Sequence, residues 1–196
     1  MLELLYGPYL IKTFGYLGIT LVIYAESGLL VGFFLPGDSL LFTAGFLASQ
    51  GYLHIALLIA LTFTAAVLGD STGYWFGKKI GPKIFTKEDS FFFRKSHIEK
   101  SKAFFQTHGK KTIILARFVP IVRTFAPILA GVGEMDYRTF IAYNLVGGAL
   151  WTIGITAAGY FLGRLIPDVD KYLLPIIGLI VLLSLLPAWK HLRARP

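Results

Sequence analysis

The feature that most constrains this chain is the stretch from Arg117 to Gly131, where two arginines and two prolines interrupt sequence apolar enough for a lipid bilayer. An arginine near the hydrocarbon centre costs about 3 kcal/mol on insertion scales, so Arg117 and Arg123 need anionic partners there. Pro120 and Pro127 each remove a backbone donor, which predicts breaks in the helix. The stretch therefore predicts a polar site inside a membrane protein.

The composition of the whole chain is that of an integral membrane protein. Of its 196 residues 55% are hydrophobic and 15% are charged, and its mean hydropathy is +0.66; soluble domains are more polar. The length predicts one all-α, polytopic domain of about five or six segments of roughly 20 residues each. The chain has no cysteine, and its four histidines are scattered, so we expect neither a metal site nor a cofactor.

The basic residues are concentrated in two places. Ten of the nineteen lysines and arginines lie between Lys78 and Lys111, and Lys190, Arg193 and Arg195 follow the last apolar segment. This is the positive-inside pattern, which predicts that the connector and the C-terminus are both cytoplasmic. The net charge of +8 therefore reflects membrane topology, and we expect no nucleic-acid partner.

Two breaks divide the apolar sequence into pieces poorly suited to simple crossings. Pro36 and Gly37 interrupt the first long run, and only the ten residues from Leu40 to Ser49 continue apolar after them. A crossing needs about 20 residues, and irregular backbone is tolerated where it is buried in protein or faces water. We therefore predict two re-entrant helical hairpins, with breaks at Pro36, Gly37, Pro120 and Pro127.

A faint internal repeat relates the two halves of the chain. Shifting the sequence by 86 residues superposes seven identities between residues 31–78 and 117–164. Because the connector and the tail are both expected to be cytoplasmic, the spanning helices of the two copies run in opposite directions, an inverted-topology repeat typical of secondary transporters. The predicted organisation is a single transmembrane domain, 1–196, with repeat 1 at about 26–78, the basic connector at 78–111, repeat 2 at about 112–164 and a C-terminal helix at 172–189.

Four charged residues lie in or beside the two breaks, namely Glu26, Asp38, Arg117 and Arg123. Their charges balance, so they can be buried together where a single one could not. One interpretation is that they are ion pairs that only fix the hairpins. The other is functional, because guanidinium groups beside broken helix ends suit a phosphate headgroup. Carboxylates in apolar surroundings also take up protons readily, so Glu26 and Asp38 are candidates for proton coupling.

Other polar and small residues are weaker candidates. The sequence supports two interpretations of Asp70 equally, a buried functional acid and an interfacial cap or ion pair. Arg138 is interpreted as an interfacial anchor, and Asn144 and Trp151 are expected to face neighbouring helices. The Gly147–Gly148 pair suits close helix packing.

Two motifs in this chain resemble those of the DedA family, also called the SNARE-associated or VTT-domain family. The first is Glu26 followed by Pro36-Gly37-Asp38, and the second is the run 117–127 followed by Ala130-Gly131 and by Met135, Tyr137, Arg138 and Phe140. The resemblance implies a bacterial inner-membrane protein with two re-entrant hairpins in inverted repeats. It also implies that Glu26, Asp38, Arg117 and Arg123 are needed for function, and it adds Thr124 and Tyr137 as secondary candidates.

The resemblance further implies a lipid substrate, since bacterial members are implicated in returning undecaprenyl phosphate across the cytoplasmic membrane and eukaryotic relatives scramble phospholipids. The leading hypothesis is a proton-coupled lipid translocase that binds the phosphate headgroup through Arg117 and Arg123. The alternatives are a phospholipid scramblase, a proton-dependent homeostasis transporter, and a protein that senses or stabilises without moving lipid. No nucleophile or catalytic histidine accompanies the arginines, so we do not expect an enzyme. A homo-oligomer is left open.

Overall fold

The structure is a computed structural model that describes residues 7–29, 35–84 and 111–165. Within these residues all regular structure is helical and no strand is present, which confirms the all-α prediction. The predicted C-terminal helix at 172–189 and most of the basic connector lie outside the described residues. The helices are α1 (Gly7–Gly28), α2 (Gly37–Ser49), α3 (Ile55–Ile84), α4 (Thr112–Ala116), α5 (Pro120–Val132) and α6 (Tyr137–Leu165).

Long and short apolar helices occur on both sides of the connector. The long helices α3 and α6 contain stretches apolar enough to cross a bilayer, Ile55–Ile80 and Tyr137–Leu165. By contrast, α2 and α5 have 13 residues each, which is about 20 Å at 1.5 Å per residue and less than the thickness of the hydrocarbon core. Each half of the chain therefore pairs one short helix with one that is long enough to span.

Prolines mark the starts of the two 13-residue helices, α2 and α5. Pro36 immediately precedes α2, and Gly37 is its first residue. Pro120 is the first residue of α5, where its missing amide hydrogen is tolerated, and Val119 before it is extended (φ −118°, ψ 106°), as a residue preceding proline prefers. Pro127 behaves differently from the expectation, because it lies inside α5. It leaves the Arg123 carbonyl without its usual amide donor, but the helix continues to Val132.

The start of α6 is fixed by an acidic cap. The backbone amide of Thr139 donates to Oδ2 of Asp136 at 2.9 Å, which satisfies one of the free amides of the first turn. This hydrogen bond holds the pKa of Asp136 below its ordinary value. The carboxylate therefore stays charged at neutral pH, and its contribution to the helix start is lost only as the pH falls through that lowered pKa.

The chain forms two compact units, and α1, α3 and α6 each contribute residues to both. The described residues of the first unit are 7–22, 35–62 and 152–165, and those of the second unit are 23–29, 63–84 and 111–151.

In the first unit, α2 packs against α6 through glycines. A Cβ atom at Gly45 would collide with the carbonyl oxygen of Thr156, and one at Gly159 would collide with that of Phe42. One turn further on, Gly163 meets Ser49. The contacts advance in the same direction along both helices, so α2 and α6 run parallel where they cross. Their backbones approach closely because no side chain separates them.

In the second unit, α5 packs against α3 in the same manner. A Cβ atom at Gly131 would collide with the carbonyl oxygen of Tyr74, and one at Gly77 would collide with that of Ile128. The geometry is the same in the two units. Gly45 faces Gly159, and Gly77 faces Gly131. Each of these glycines contacts the carbonyl oxygen of the residue three positions before the glycine that it faces. Gly131 is also the residue that the 86-residue repeat superposes on Gly45. The short helix of each half of the chain thus packs against the long helix of the other half.

Polar side chains lie inside the structure, and many large apolar side chains lie on its surface. This is the distribution expected of a protein whose surroundings are hydrocarbon rather than water. The buried polar set includes Glu26, Asp70, Arg117, Arg123 and Asn144, and the exposed apolar set includes Leu57, Leu68, Phe76, Leu115, Leu150 and Phe161.

The glycine contacts give the first prediction. Gly77→Ala should destabilise the protein by about 1–3 kcal/mol, because the new methyl group overlaps the backbone carbonyl of Ile128 and one helix has to move. The measurement is thermal unfolding of the purified protein in detergent. Gly154→Ala is the matched control, since no atom lies within 4 Å of a Cβ at Gly154. If both variants unfolded at the same temperature as the parent protein, the close α3–α5 contact would be contradicted.

Candidate functional site

Arg117 is the centre of a buried polar cluster in the second unit. It lies in the break between α4 and α5 and is 2% exposed. Its Nη2 donates to Oδ2 of Asp70 on α3 and to Oδ1 of Asn144 on α6. The Nδ2 of Asn144 in turn donates to the carbonyl oxygen of Val67 at 3.2 Å. One guanidinium group therefore links three separate segments of the chain.

The space for the Arg117 side chain comes from two adjacent glycines on α6. A Cβ atom at Gly147 would lie 3.1 Å from Cδ of Arg117, and one at Gly148 would lie 3.6 Å from its Nη2. Any larger residue at Gly147 would press on the arginine or on the backbone of Ile114. The Gly147–Gly148 pair therefore supports the close packing that its sequence predicts, and the group packed against it is the arginine.

Arg123 forms a second buried ion pair in the same unit. Its Nη2 donates to Oε1 of Glu26, which lies near the end of α1. A contact between glycines places that end of α1 beside α3, since a Cβ at Gly28 would lie 2.6 Å from the carbonyl oxygen of Gly69. Gly69 immediately precedes Asp70 in sequence. This one close backbone contact therefore sets the helix that carries Glu26 against the helix that carries Asp70.

An indole ring completes the cluster. Trp151 on α6 is buried, and its ring centroid is 4.4 Å from Cζ of Arg123 and 6.0 Å from Cζ of Arg117. Both distances fall within the range of a cation–π interaction. The two arginines therefore share one aromatic partner besides their carboxylates.

The cluster is electrically balanced but not fully hydrogen-bonded. Two guanidinium groups face two carboxylates, Arg117 with Asp70 and Arg123 with Glu26. Among the residues that the structure describes, Nε and Nη1 of Arg117 and Oδ1 of Asp70 are buried without a hydrogen-bond partner. The charged N–H donors of a guanidinium group form strong hydrogen bonds to carboxylate and phosphate oxygens. The arrangement is therefore chemically suited to bind an oxyanion.

Within the second unit, the structure brings together Arg117, Arg123 and Glu26, which the sequence placed at the site. Asp38 lies in the first turn of α2, in the first unit, where it is half-buried. The carboxylate paired with Arg117 is that of Asp70, which the sequence offered only as a secondary candidate. Asp70 is 2% exposed and paired with Arg117, so it is a buried ion-pair partner, and a functional role for it stays a prediction.

The remaining predicted residues occupy different surroundings. Thr124 is buried on α5 next to Arg123. Tyr137 is half-buried, and its hydroxyl donates to Oγ of Ser71 at 3.3 Å. Arg138 is exposed near the start of α6, and its interpretation as an interfacial anchor stays a prediction.

Sequence reasoning missed the roles of Asn144 and Trp151 in the cluster. Both were expected only to face neighbouring helices. The sequence feature that could have identified them is that each side chain carries a hydrogen-bonding group within the apolar sequence of α6. They are seven residues apart, or two helical turns, so they share one face of that helix.

Comparison with known proteins identifies relatives over most of the chain. The family model described as the VTT domain matches residues 35–161. Protein DedA of Escherichia coli strain K12 is 49% identical over 169 residues, covering 85% of this chain and 77% of that protein. The uncharacterized membrane protein Rv0364 of Mycobacterium tuberculosis is 50% identical over 173 residues, covering 87% and 75%. The inner membrane protein YqjA of E. coli K12 is 31% identical over 186 residues, covering 89% and 84%. No solved structure matches.

The buried ion pair predicts an asymmetry between single and double substitutions. Asp70→Leu should destabilise the protein by about 3–5 kcal/mol, because it leaves the Arg117 charge buried without its carboxylate. The double variant Arg117→Leu with Asp70→Leu should be markedly more stable than either single variant, since no unpaired charge remains. Thermal unfolding in detergent measures both effects.

Arg164→Leu is the control for loss of an arginine, because Arg164 is exposed on α6, and it should leave the unfolding temperature nearly unchanged. If the destabilisations of the two single variants simply added in the double variant, Arg117 and Asp70 would not interact in the folded protein.

Proposed function

The chain belongs to the DedA family of VTT-domain membrane proteins, and from that premise we propose that it is a proton-coupled lipid translocase of the bacterial cytoplasmic membrane. The proposed substrate is undecaprenyl phosphate, which the protein would return from the outer to the inner leaflet. Arg117 and Arg123 bind the phosphate headgroup, and acidic side chains of the same cluster carry the protons.

The proposed topology is a pair of inverted repeats with re-entrant hairpins. It is supported by the two short helices, α2 and α5, which at 13 residues each are too short to span. It is also supported by the exchanged packing, in which each short helix runs parallel to the long helix of the other half of the chain. Inverted repeats require this relation, because the short helix of each copy returns in the direction opposite to its own long helix.

The observation that carries the proposal is the hydrogen bonding of Arg117. Only its Nη2 is engaged with Asp70 and Asn144, while Nε and Nη1 are buried without a partner among the described residues. A buried charge whose role was purely structural would be expected to use its donors fully. The remaining N–H groups, one on Nε and two on Nη1, are charged donors that the oxygens of a phosphate can accept from.

Charge balance links phosphate binding to protons. With both carboxylates ionised, the two ion pairs sum to zero charge, so an added phosphate would leave a buried net negative charge. If Glu26 and Asp70 each take up a proton, the arginines are released and present two positive charges to the substrate. Binding of phosphate and protonation of the acids therefore favour each other, which is the requirement for coupled transport.

The same balance favours a phosphate monoester as the substrate. A monoester carries a charge of about −1.5 to −2 at pH 7, which matches two arginines whose carboxylates are both protonated. A phosphodiester headgroup, with a single negative charge, matches only one released arginine. Undecaprenyl phosphate is a monoester, whereas the common membrane phospholipids are diesters. Asp38, the acid in the first turn of α2, is a further proton carrier in this proposal, as its place in the family motif implies.

The lipid tail has no need to enter the cluster. Large apolar side chains are exposed along the long helices, among them Leu68 on α3 and Leu150 on α6. A polyprenyl chain can follow such a surface within the bilayer while its headgroup reaches the arginines. The part of the substrate that costs most to move across hydrocarbon is its phosphate, and that is the part the cluster would solvate.

The proposal predicts that removing Arg123 abolishes most transport. In proteoliposomes, Arg123→Ala should lower the rate of undecaprenyl phosphate translocation by about 10- to 100-fold, the effect of losing one charged hydrogen-bonding partner of roughly 1.5–3 kcal/mol. The exposed Arg164→Ala is the control and should retain the parent rate. In the same assay, Glu26→Gln should reduce the dependence of the rate on an imposed pH gradient, because the amide cannot exchange a proton.

Two outcomes would contradict this function. An undiminished rate in Arg123→Ala would exclude the phosphate-binding role of the arginine. Equal transport of undecaprenyl phosphate and of a diester phospholipid, independent of the pH gradient, would identify a scramblase instead.

A further inference from the structure

Trp151 has a role in the cluster that its burial alone does not explain. Its ring lies 4.4 Å from the guanidinium carbon of Arg123, well inside cation–π range, and 6.0 Å from that of Arg117. Trp151 and both arginines are each at most 3% exposed. A cation–π interaction is strongest where water is excluded, and there it changes an equilibrium by about 30-fold.

The two kinds of partner that Arg123 has respond differently to protonation. The carboxylate of Glu26 loses its charge when it takes up a proton, and its attraction for the guanidinium group then falls. The electron-rich face of the indole carries no ionisable group, so its attraction for the guanidinium group is the same in both protonation states. Protonation therefore changes the attraction of Glu26 for Arg123 but not that of Trp151.

We propose that Trp151 is the positioning residue that holds Arg123 in place while the arginine exchanges Glu26 for the phosphate of the substrate. This inference rests on the proposed function, in which the exchange occurs. During the exchange Arg123 is released by one anion before the next is bound, within a region where an unpaired charge is costly. The indole face limits that cost and keeps the guanidinium plane at one orientation, so the phosphate meets an arginine that is already in place.

The position of Trp151 in the fold supports this assignment. It lies on the same helix face as Asn144, two turns away, and Asn144 holds Arg117 by accepting from its Nη2. One face of α6 therefore supplies an uncharged partner to each arginine, an amide oxygen for Arg117 and an indole for Arg123. The ionisable partners, Glu26 and Asp70, come from α1 and α3. Fixed and titratable partners thus lie on different helices.

Ring fluorination separates this role from simple packing. Site-specific replacement of Trp151 by tryptophans carrying one to four fluorine atoms keeps the shape of the ring while progressively weakening its negative face. If Trp151 only fills space, the series should have little effect. If it holds Arg123, the effect should grow with each fluorine. The same analogues at Trp75, which is half exposed on α3 and has Nζ of Lys78 5.2 Å from its ring centroid, are the comparison for an exposed cation–π contact, where a smaller effect is expected.

The decisive measurement is thermal unfolding of the fluorinated series in two backgrounds. In the Glu26→Gln background, which imitates the protonated acid, the unfolding temperature should fall stepwise, by about 4–8 °C at four fluorines for a chain of this size. With Glu26 intact the decrease should be of the same size, because the attraction of the indole for the guanidinium group does not depend on the charge of residue 26. Flat unfolding temperatures in both backgrounds, or a decrease only with Glu26 intact, would overturn the inference.

Transport by the same proteins then tests the functional part of the inference. With Glu26 intact, four fluorines at Trp151 should slow undecaprenyl phosphate translocation by about 10- to 30-fold, and fluorinated Trp75 should not. Stepwise unfolding with an unchanged transport rate would restrict Trp151 to a structural role and overturn the positioning role. If the parent protein moved no undecaprenyl phosphate, the proposed function would fail, and the unfolding series would still decide whether the indole holds Arg123.

Discussion

The rest of this structure depends on the cost of burying two guanidinium groups among apolar helices. Arg117 and Arg123 are almost completely buried, and each would be strongly destabilising there without an anion. Asp70 and Glu26 supply that anion from two other helices. The chain must therefore bring α1, α3, α6 and the break before α5 to one place, and the ion pairs cannot form unless it does.

Glycines make that convergence possible, and so connect the packing to the chemistry. Gly28 and Gly69 set α1 against α3, Gly77 and Gly131 set α3 against α5, and Gly147 with Gly148 leaves room for the arginine side chain. Helices that approach this closely exclude water as well as lipid. Exclusion strengthens every charge interaction in the cluster and makes each unmet donor costly. In the proposed function, it also makes the binding of phosphate and the protonation of the acids depend on each other.

The sequence predicted the helical class, the membrane setting, the two proline-marked helix starts and three of the four charged residues at the cluster, because these follow from hydropathy and from the rarity of charge in apolar sequence. It did not predict that Asp70 pairs with Arg117, since the two are 47 residues apart and only packing decides which acid meets which base. Pro127 was expected to break a helix and lies within one, because tertiary packing overrides local preference. Asn144 and Trp151 were seen as packing residues because nothing local shows which face of α6 meets the arginines.

The central claim is that the residues of the buried ion pairs bind the phosphate of a transported lipid and do not only hold the helices together. The most direct test is undecaprenyl phosphate translocation by the double variant Arg117→Leu with Asp70→Leu, reconstituted in proteoliposomes after its folding has been verified. The account predicts a folded protein that transports at least tenfold more slowly than the parent protein, because the variant lacks one of the two arginines that bind the phosphate. Transport at the rate of the parent protein would contradict the account and leave the ion pairs a structural role alone.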